Sequence, residues 1–98
     1  MASRIAESPM PSIRFTRNIQ RHVDCPTRDV EGETLRAALD AYFQANERAR
    51  GYVLDERGRL RKHMAVFIDG QQIGDRDQLT DPVSSGAVVD IVQSLSGG

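Results

Sequence analysis

Cys25, His22 and His63 are the first side chains that suggest chemistry in this 98-residue sequence. The Cys25 thiol could act as a nucleophile or a sulfur relay, but the sequence places no base beside it, and Pro26 ends the segment that carries it. We therefore predict a buried or half-buried thiol. The two histidines lie far apart, with no carboxylate or cysteine at ligand spacing, so we predict ordinary surface side chains. The pattern predicts no catalytic residue and no metal site.

Basic side chains cluster in the middle of the chain, at Arg57, Arg59, Arg61, Lys62 and His63. Asp55 and Glu56 stand beside them, and the nearby aromatic residue is Tyr52. This mixture favours a solvated hairpin. A docking patch for an acidic partner is the second interpretation, and nucleic-acid binding is the third.

The sequence ends with two glycines, Gly97 and Gly98. Such a pair would occur by chance in about 0.5% of chains, at a glycine usage of ~7% per position. A linker remnant could end in the same way. The pair therefore gains its weight from the elements that precede it.

Length and composition limit the classes of protein to which the chain can belong. Ninety-eight residues with 39% hydrophobic and 28% charged side chains correspond to one globular domain. A net charge of -1 gives no whole-molecule attraction to nucleic acid or to an anionic membrane. One cysteine cannot close an internal disulfide, and no stretch approaches the ~18 apolar residues of a membrane span. We therefore expect a monomer in the reducing cytoplasm.

The first half of the chain is predicted to hold a leader, a hairpin and a helix. Residues 1–11 lack apolar periodicity and contain two prolines near their end, which indicates a disordered leader. Alternation at 13–15, a turn near 17–18 and renewed alternation at 19–25 predict a first hairpin. Thr34 is the predicted N-cap of the helix, and Gly51 its predicted C-cap. Apolar residues recur between them at helical spacing, at Leu35, Ala38, Leu39, Tyr42 and Phe43.

The second half is predicted to hold short strands. In chain order these are a hairpin or ordered loop around 55–58, a strand at 64–68 that stops at the Asp69-Gly70 turn, a short segment at 72–73, two core plugs at Leu79 and Val83, and a strand at 87–93. We predict a domain at 12–94, followed by a flexible tail at 95–98. One main amphipathic helix would cover one face of a mixed sheet of four to five strands. This is an α+β, β-grasp order, the ubiquitin-like architecture.

The chain resembles the ThiS/MoaD family of ubiquitin-like sulfur-carrier proteins over residues 12–98, and its layout is most similar to the longer, CysO-type carriers. The matching segments are GETL at 32–35, LDERGRL at 54–60, VFIDG at 66–70 with Ile73, DQL at 77–79, GAVVDIV at 86–92 and the terminal glycines. Their order and spacing carry the resemblance more than any single segment. The sequence departs from the family at Ser96, where an alanine usually precedes the glycines.

The resemblance implies chemistry at the Gly98 carboxylate. An E1-like enzyme would adenylate it with ATP, a sulfurtransferase or other sulfur donor would convert the acyl-adenylate to a thiocarboxylate, and an acceptor biosynthetic enzyme would take the sulfur. Without a Cβ, Gly97 and Gly98 can enter a narrow channel and present an unhindered acyl carbon. ATP and Mg²⁺ would be held by the activating enzyme, so we expect no cofactor bound here. If the native product continues beyond Gly98, a metalloprotease would be a further partner.

An outward face of the predicted sheet suggests where partners dock. Phe67 and Val92 alternate with the inward strand residues, and an exposed apolar face on a small protein often marks an interface. We predict that Phe67, Val92, Leu95 and Ser96 contact the activating enzyme. If the two faces of the sheet are reversed, Phe67 and Val92 instead belong to the core.

Two other functions fit the same sequence. A ubiquitin-like modifier would use the activated glycine to form isopeptide bonds with lysines of target proteins. A non-covalent β-grasp interaction module would keep its full activity without Gly97 and Gly98.

Overall fold

The computed structural model describes residues 10–93 as five short strands and three helices. In chain order they are β1 (Ser12–Phe15), α1 (Arg17–Gln20), β2 (Arg28–Asp29), α2 (Leu35–Ala45), α3 (Glu47–Val53), β3 (Met64–Ile68), β4 (Gln71–Gln72) and β5 (Val88–Gln93). The strands form one sheet in the order β2-β1-β5-β3-β4, in which β1 and β5 are parallel and the other pairs antiparallel. This mixed sheet with helices confirms the predicted β-grasp fold.

Strand β5 is the centre of the sheet. On one side it pairs in parallel with β1, where Ile13 lies beside Val89, and on the other it pairs antiparallel with β3, where Val66 lies opposite Ile91. β5 is therefore paired on both edges as far as Ile91, and its pairing with β3 continues to Gln93, the last described residue. The predicted leader and tail fall on or next to residues 1–9 and 94–98, which lie outside the described residues, so those domain bounds stay predictions.

One face of the sheet packs against α2 and α3 to form the core. The inward residues Ile13, Val66, Val89 and Ile91 are all 0% exposed. The predicted apolar stripe of α2 meets them and is buried at all five of its positions, Leu35, Ala38, Leu39, Tyr42 and Phe43. The Tyr42 hydroxyl donates to the Pro26 carbonyl at 2.6 Å, so the aromatic side chain is buried without an unpaired polar group. The sequence prediction of the helix face and of the inward strand residues is confirmed.

The helix itself is shorter than predicted. Thr34 is the N-cap, and its Oγ accepts from the Ala37 amide at 3.2 Å, as expected. The helix ends at Ala45, however, and α3 begins at Glu47. The side-chain amide of Asn46 between them donates to the Asp24 carbonyl. Gly51 therefore lies inside α3, and the predicted C-cap role is wrong. The break redirects the chain so that the apolar residues of α3 also face the core.

The predicted second strand of the first hairpin is also wrong. The chain makes the short helix α1 after β1 and reaches its second strand only at β2. Ile19 and Val23 fit strand alternation, but a spacing of four residues also fits a helical turn, and the Val23 amide donates to the Ile19 carbonyl at 3.2 Å. Because Ile19 is 0% exposed in this arrangement, burial decides between two patterns that the sequence leaves equal.

The later elements agree with the sequence prediction. Leu54 and Leu60 form an isolated bridge around the predicted turn. Asp69 and Gly70 both have positive φ, at 50° and 86°, as the tight turn between β3 and β4 requires. Leu79 and Val83 are 0% and 4% exposed and fill the core below α2.

Candidate functional site

The open face of the sheet carries the two predicted docking residues that the structure describes. Phe67 lies opposite Asp90, and Val92 opposite Ala65, in the register of β3 and β5. Phe67 and Val92 are half-buried and do not belong to the buried core. The face assignment made from the sequence is therefore confirmed. That these side chains contact a partner stays a prediction, and Leu95 and Ser96 lie outside the described residues.

An ion pair lies in the same row of side chains. Arg14 on β1 donates from Nε and Nη2 to the two carboxylate oxygens of Asp90, at 2.7 and 3.1 Å. Both groups are substantially exposed, so the pair adds little stability. Its two hydrogen bonds instead fix the position of the guanidinium against Asp90, which lies between Arg14 and Phe67 in the sheet. Sequence reasoning missed this pair, because a parallel neighbour 76 positions away leaves no local pattern.

The strand that leads to the terminal glycines is held at its end by a side chain of α1. The Asn18 amide donates to the Gln93 side-chain oxygen at 3.3 Å. Met64 lies opposite Gln93 in the sheet, so the turn before β3 and the end of β5 are at one end of the molecule. Gly97 and Gly98 follow this point in the sequence and lie outside the described residues.

A hollow of about 380 Å³ lies next to Gln93. Its lining includes Tyr52, which is 36% exposed, and His22, whose ring centre is 6.0 Å from that of Tyr52.

The two histidines, His22 and His63, are exposed, as predicted. Among residues 10–93, no group of three or more histidine, cysteine, aspartate or glutamate side chains could hold a metal ion.

The basic run occupies the loop between α3 and β3 and is largely solvated. Arg59 pairs with Asp55 at 3.4 Å, while Arg61 donates to the Gly51 carbonyl at 2.7 Å. The backbone hydrogen bond from Arg59, followed by that from Arg57, lowers the pKa of Asp55 against the opposing effect of desolvation. These contacts agree with the interpretation as a hairpin that is exposed to solvent.

Cys25 is 2% exposed and confirms the prediction of a buried thiol. Burial, followed by the negative charge of Asp24, raises the pKa of this thiol. A raised pKa keeps the thiol protonated, whereas a sulfur relay would need the thiolate.

In the part of the chain that the structure describes, no helix is long and apolar enough to cross a membrane.

The fold and the open face define a small ubiquitin-like protein of the β-grasp class. Residues 16–98 match the model of the ThiS family, and the chain therefore belongs to this family. No curated protein matches the sequence.

Solved structures agree on the fold. SAMP1 of Haloferax volcanii has 21% identity and a TM-score of 0.74, over 90% of this chain and 98% of that chain. A chain of the BexX/CysO complex of Amycolatopsis orientalis has 15% identity and a TM-score of 0.74, over 90% and 99%. Urm1 of Trypanosoma brucei has 13% identity and a TM-score of 0.67, over 95% and 99%. At these identities the likeness concerns the fold.

Proposed function

We propose that this protein is a sulfur carrier whose working group is the Gly98 carboxylate. The observation that carries the proposal is the match to the ThiS family, which extends through the two terminal glycines. In this role the chain is the protein substrate of other enzymes and has no catalytic residue of its own. The setting we propose is the cytoplasm.

The proposed chemistry has two steps at one carbon atom. A carboxylate is a poor electrophile, so an E1-like enzyme first joins it to the α-phosphate of ATP and releases pyrophosphate. A sulfur donor then attacks the acyl carbon, AMP leaves, and a thiocarboxylate remains at Gly98. An acceptor biosynthetic enzyme takes the sulfur and regenerates the carboxylate.

The described part of the chain fits this role because it holds the start of the C-terminal segment in place and offers a surface for an enzyme beside it. Because β5 is bonded on both edges and Gln93 is held by Asn18, the segment 94–98 starts from a fixed point. The open face with Phe67 is adjacent on the same strand pair and offers a surface for the activating enzyme. The neighbour from the BexX/CysO complex was solved as an assembly of two named proteins, which supports a protein partner here.

Adenylation can be measured directly as ATP–pyrophosphate exchange. The wild-type chain and a chain lacking Gly97 and Gly98 are each mixed with ATP, Mg²⁺ and the E1-like enzyme of the same organism. We expect exchange that depends on the wild-type chain and disappears with the truncated one. Exchange that continues without the glycines would rule out activation at Gly98, and a non-covalent module predicts no exchange with either chain.

Protein modification is the second candidate, and two solved neighbours favour it because each is a small archaeal modifier protein. Trypsin offers a specific test. The last arginine or lysine of the sequence is Arg76, so digestion leaves the whole segment 77–98, and not a Gly-Gly remnant, on a target lysine. A Ser96→Arg variant would restore the Gly-Gly remnant. Modified lysines in cells that produce this variant would establish the modifier, and their absence alongside a thiocarboxylate would favour the carrier.

A further inference from the structure

Lys62 is the only lysine of the sequence, and the other twelve of the thirteen Lys and Arg residues are arginines. An arginine guanidinium stays protonated in proteins, whereas a lysine amine can lose its proton and become a nucleophile. Lys62 is therefore the single side-chain amine of this sequence that can accept an acyl group.

The structure presents Lys62 on an anchored turn. The residue is exposed and lies two positions before the first residue of β3, Met64. Its neighbour Arg61 donates to the Gly51 carbonyl at 2.7 Å and accepts from the Arg76 guanidinium at 2.8 Å through its own carbonyl. Within residues 10–93, no hydrogen bond or ion pair involves the Lys62 side chain. The backbone is held while the amine stays available.

The same turn lies at the end of the sheet where β5 ends. Met64 pairs with Gln93, antiparallel partners lie ~5 Å apart, and two residues of chain add at most ~7 Å, so the Cα atoms of Lys62 and Gln93 are within roughly 12 Å. The segment from Gln93 to Gly98 can span up to about 17 Å. The acyl carbon of Gly98 therefore has the reach to meet Lys62 of its own chain.

We propose that Lys62 is an acylation site for activated Gly98, supplied by the same chain or by a second copy. The inference rests on the proposed activation of Gly98. The Nζ lone pair attacks the acyl carbon and a C–N bond forms. The bond from that carbon to the leaving group, AMP or a thiol, breaks with its electron pair on the leaving group, and the amine proton passes to solvent. The isopeptide product removes that carboxyl group from sulfur transfer.

The test uses the full chain with Gly98 activated chemically, so that it needs no activating enzyme. Intein cleavage with 2-mercaptoethanesulfonate gives the thioester of the wild type and of Lys62→Arg, and both are incubated at mildly alkaline pH. We expect an isopeptide in the wild type that is lost in Lys62→Arg. Trypsin cleaves after Arg61 and Arg76, so the product is the peptide 62–76 with the segment 77–98 on Lys62.

Intact mass identifies the source of the acyl group. A monomer that has lost only the thiol has reacted with its own Gly98, and a covalent dimer has reacted with a second copy. A further variant, Lys62→Arg with Ser85→Lys, moves the single lysine to an exposed turn beyond the opposite end of β5. We expect this variant to lose the product, because the position of the amine decides the reaction.

Three results would overturn the proposal. They are equal yields from the wild type and the moved lysine, acylation of the N-terminal amine in place of Lys62, and a wild-type thioester that persists although added methylamine consumes it. None of them depends on an E1-like enzyme. Failure of this inference is therefore distinguishable from failure of the proposed carrier function.

Discussion

Phe67 lies directly opposite Asp90 in the antiparallel register of β3 and β5, and both side chains point away from the helices. Arg14 reaches the same carboxylate from β1. Phe67 and the ion-paired Arg14 thus flank Asp90 from the two neighbouring strands. Aromatic and arginine side chains are enriched at the centres of protein interfaces. We expect the activating enzyme to cover this row.

Phe67→Glu should slow adenylation while leaving the fold intact. The substitution places a negative charge on the face that we expect the activating enzyme to cover, at a ring that is half-buried and does not belong to the buried core. We expect the concentration needed for half-maximal ATP–pyrophosphate exchange to rise roughly tenfold, the effect of losing about 1.4 kcal/mol of binding free energy. Circular dichroism and the urea midpoint report whether the variant is folded.

Gln72→Glu is the matched control for this surface. Gln72 pairs with Phe67 from the edge strand β4 and is exposed, so it receives the same charge in the same row. We expect a much smaller effect on exchange. A folded Phe67→Glu protein that is adenylated like the wild type would refute the docking role of this face.

Gly51→Ala should raise the free energy of unfolding. Gly51 is exposed inside α3, and a Cβ there would have no atom within 4 Å. Alanine in a helix is favoured over glycine by about 0.5–1 kcal/mol. Urea denaturation would show the gain. A loss of stability would instead support the C-cap role that the sequence suggested.

Gly32→Ala is the opposite case at a second glycine. A Cβ on Gly32 would lie 2.5 Å from the backbone nitrogen of Ala38 in α2. Helix backbone cannot move aside cheaply, so we expect a loss of about 1–3 kcal/mol, the usual range for overpacking. The same urea series measures both glycine variants. Equal stability of Gly32→Ala and the wild type would show that the approach of loop and helix can relax.

Asp75→Ala should destabilise the protein at neutral pH and lose this effect in acid. The Thr80 hydroxyl donates to Asp75 at 2.6 Å and the Gln78 amide at 2.9 Å, and these bonds, led by that of Thr80, lower the pKa of Asp75 from 3.8 to about 2. A depressed pKa contributes stability above the unfolded value, and the contribution is lost as the pH falls toward the folded value. The difference in urea midpoint between wild type and variant should therefore shrink from pH 4 toward pH 2.

Asp77→Ala serves as the control for that pH series. Asp77 lies two residues away and is exposed, but its side chain accepts none of the hydrogen bonds that order the loop. Its stability difference from the wild type should be small at every pH. A constant deficit of Asp75→Ala across the range would mean that the loop needs the side chain but not its charge.

The sequence predicted the elements whose patterns are local. The apolar stripe that includes Leu39 and the alternation that buries Ile91 each identify one face of one element, and both faces are confirmed. The order of these elements predicted the β-grasp fold, which the mixed sheet confirms, and the family match confirms the resemblance. The predicted Gly98 chemistry lies beyond the described residues.

The errors arose where tertiary contacts decide between equal local patterns. Ile19 and Val23 fit a strand and a helical turn alike, and only burial of Ile19 selects the turn. The helix break at Asn46 depends on a hydrogen bond to Asp24, 22 positions away. The Arg14–Asp90 pair requires the parallel register of β1 and β5. None of these contacts leaves a period or a spacing in the sequence.

The intact mass of the chain after sulfur loading tests the central claim most directly. The protein is incubated with ATP, Mg²⁺, the E1-like enzyme of the same organism and a sulfur donor, beside a chain that lacks Gly98. The carrier function predicts a mass gain equal to the exchange of one oxygen atom for sulfur, located in the peptide 77–98 and absent from the truncated chain. An unchanged mass in the presence of an enzyme that demonstrably adenylates the chain would contradict it.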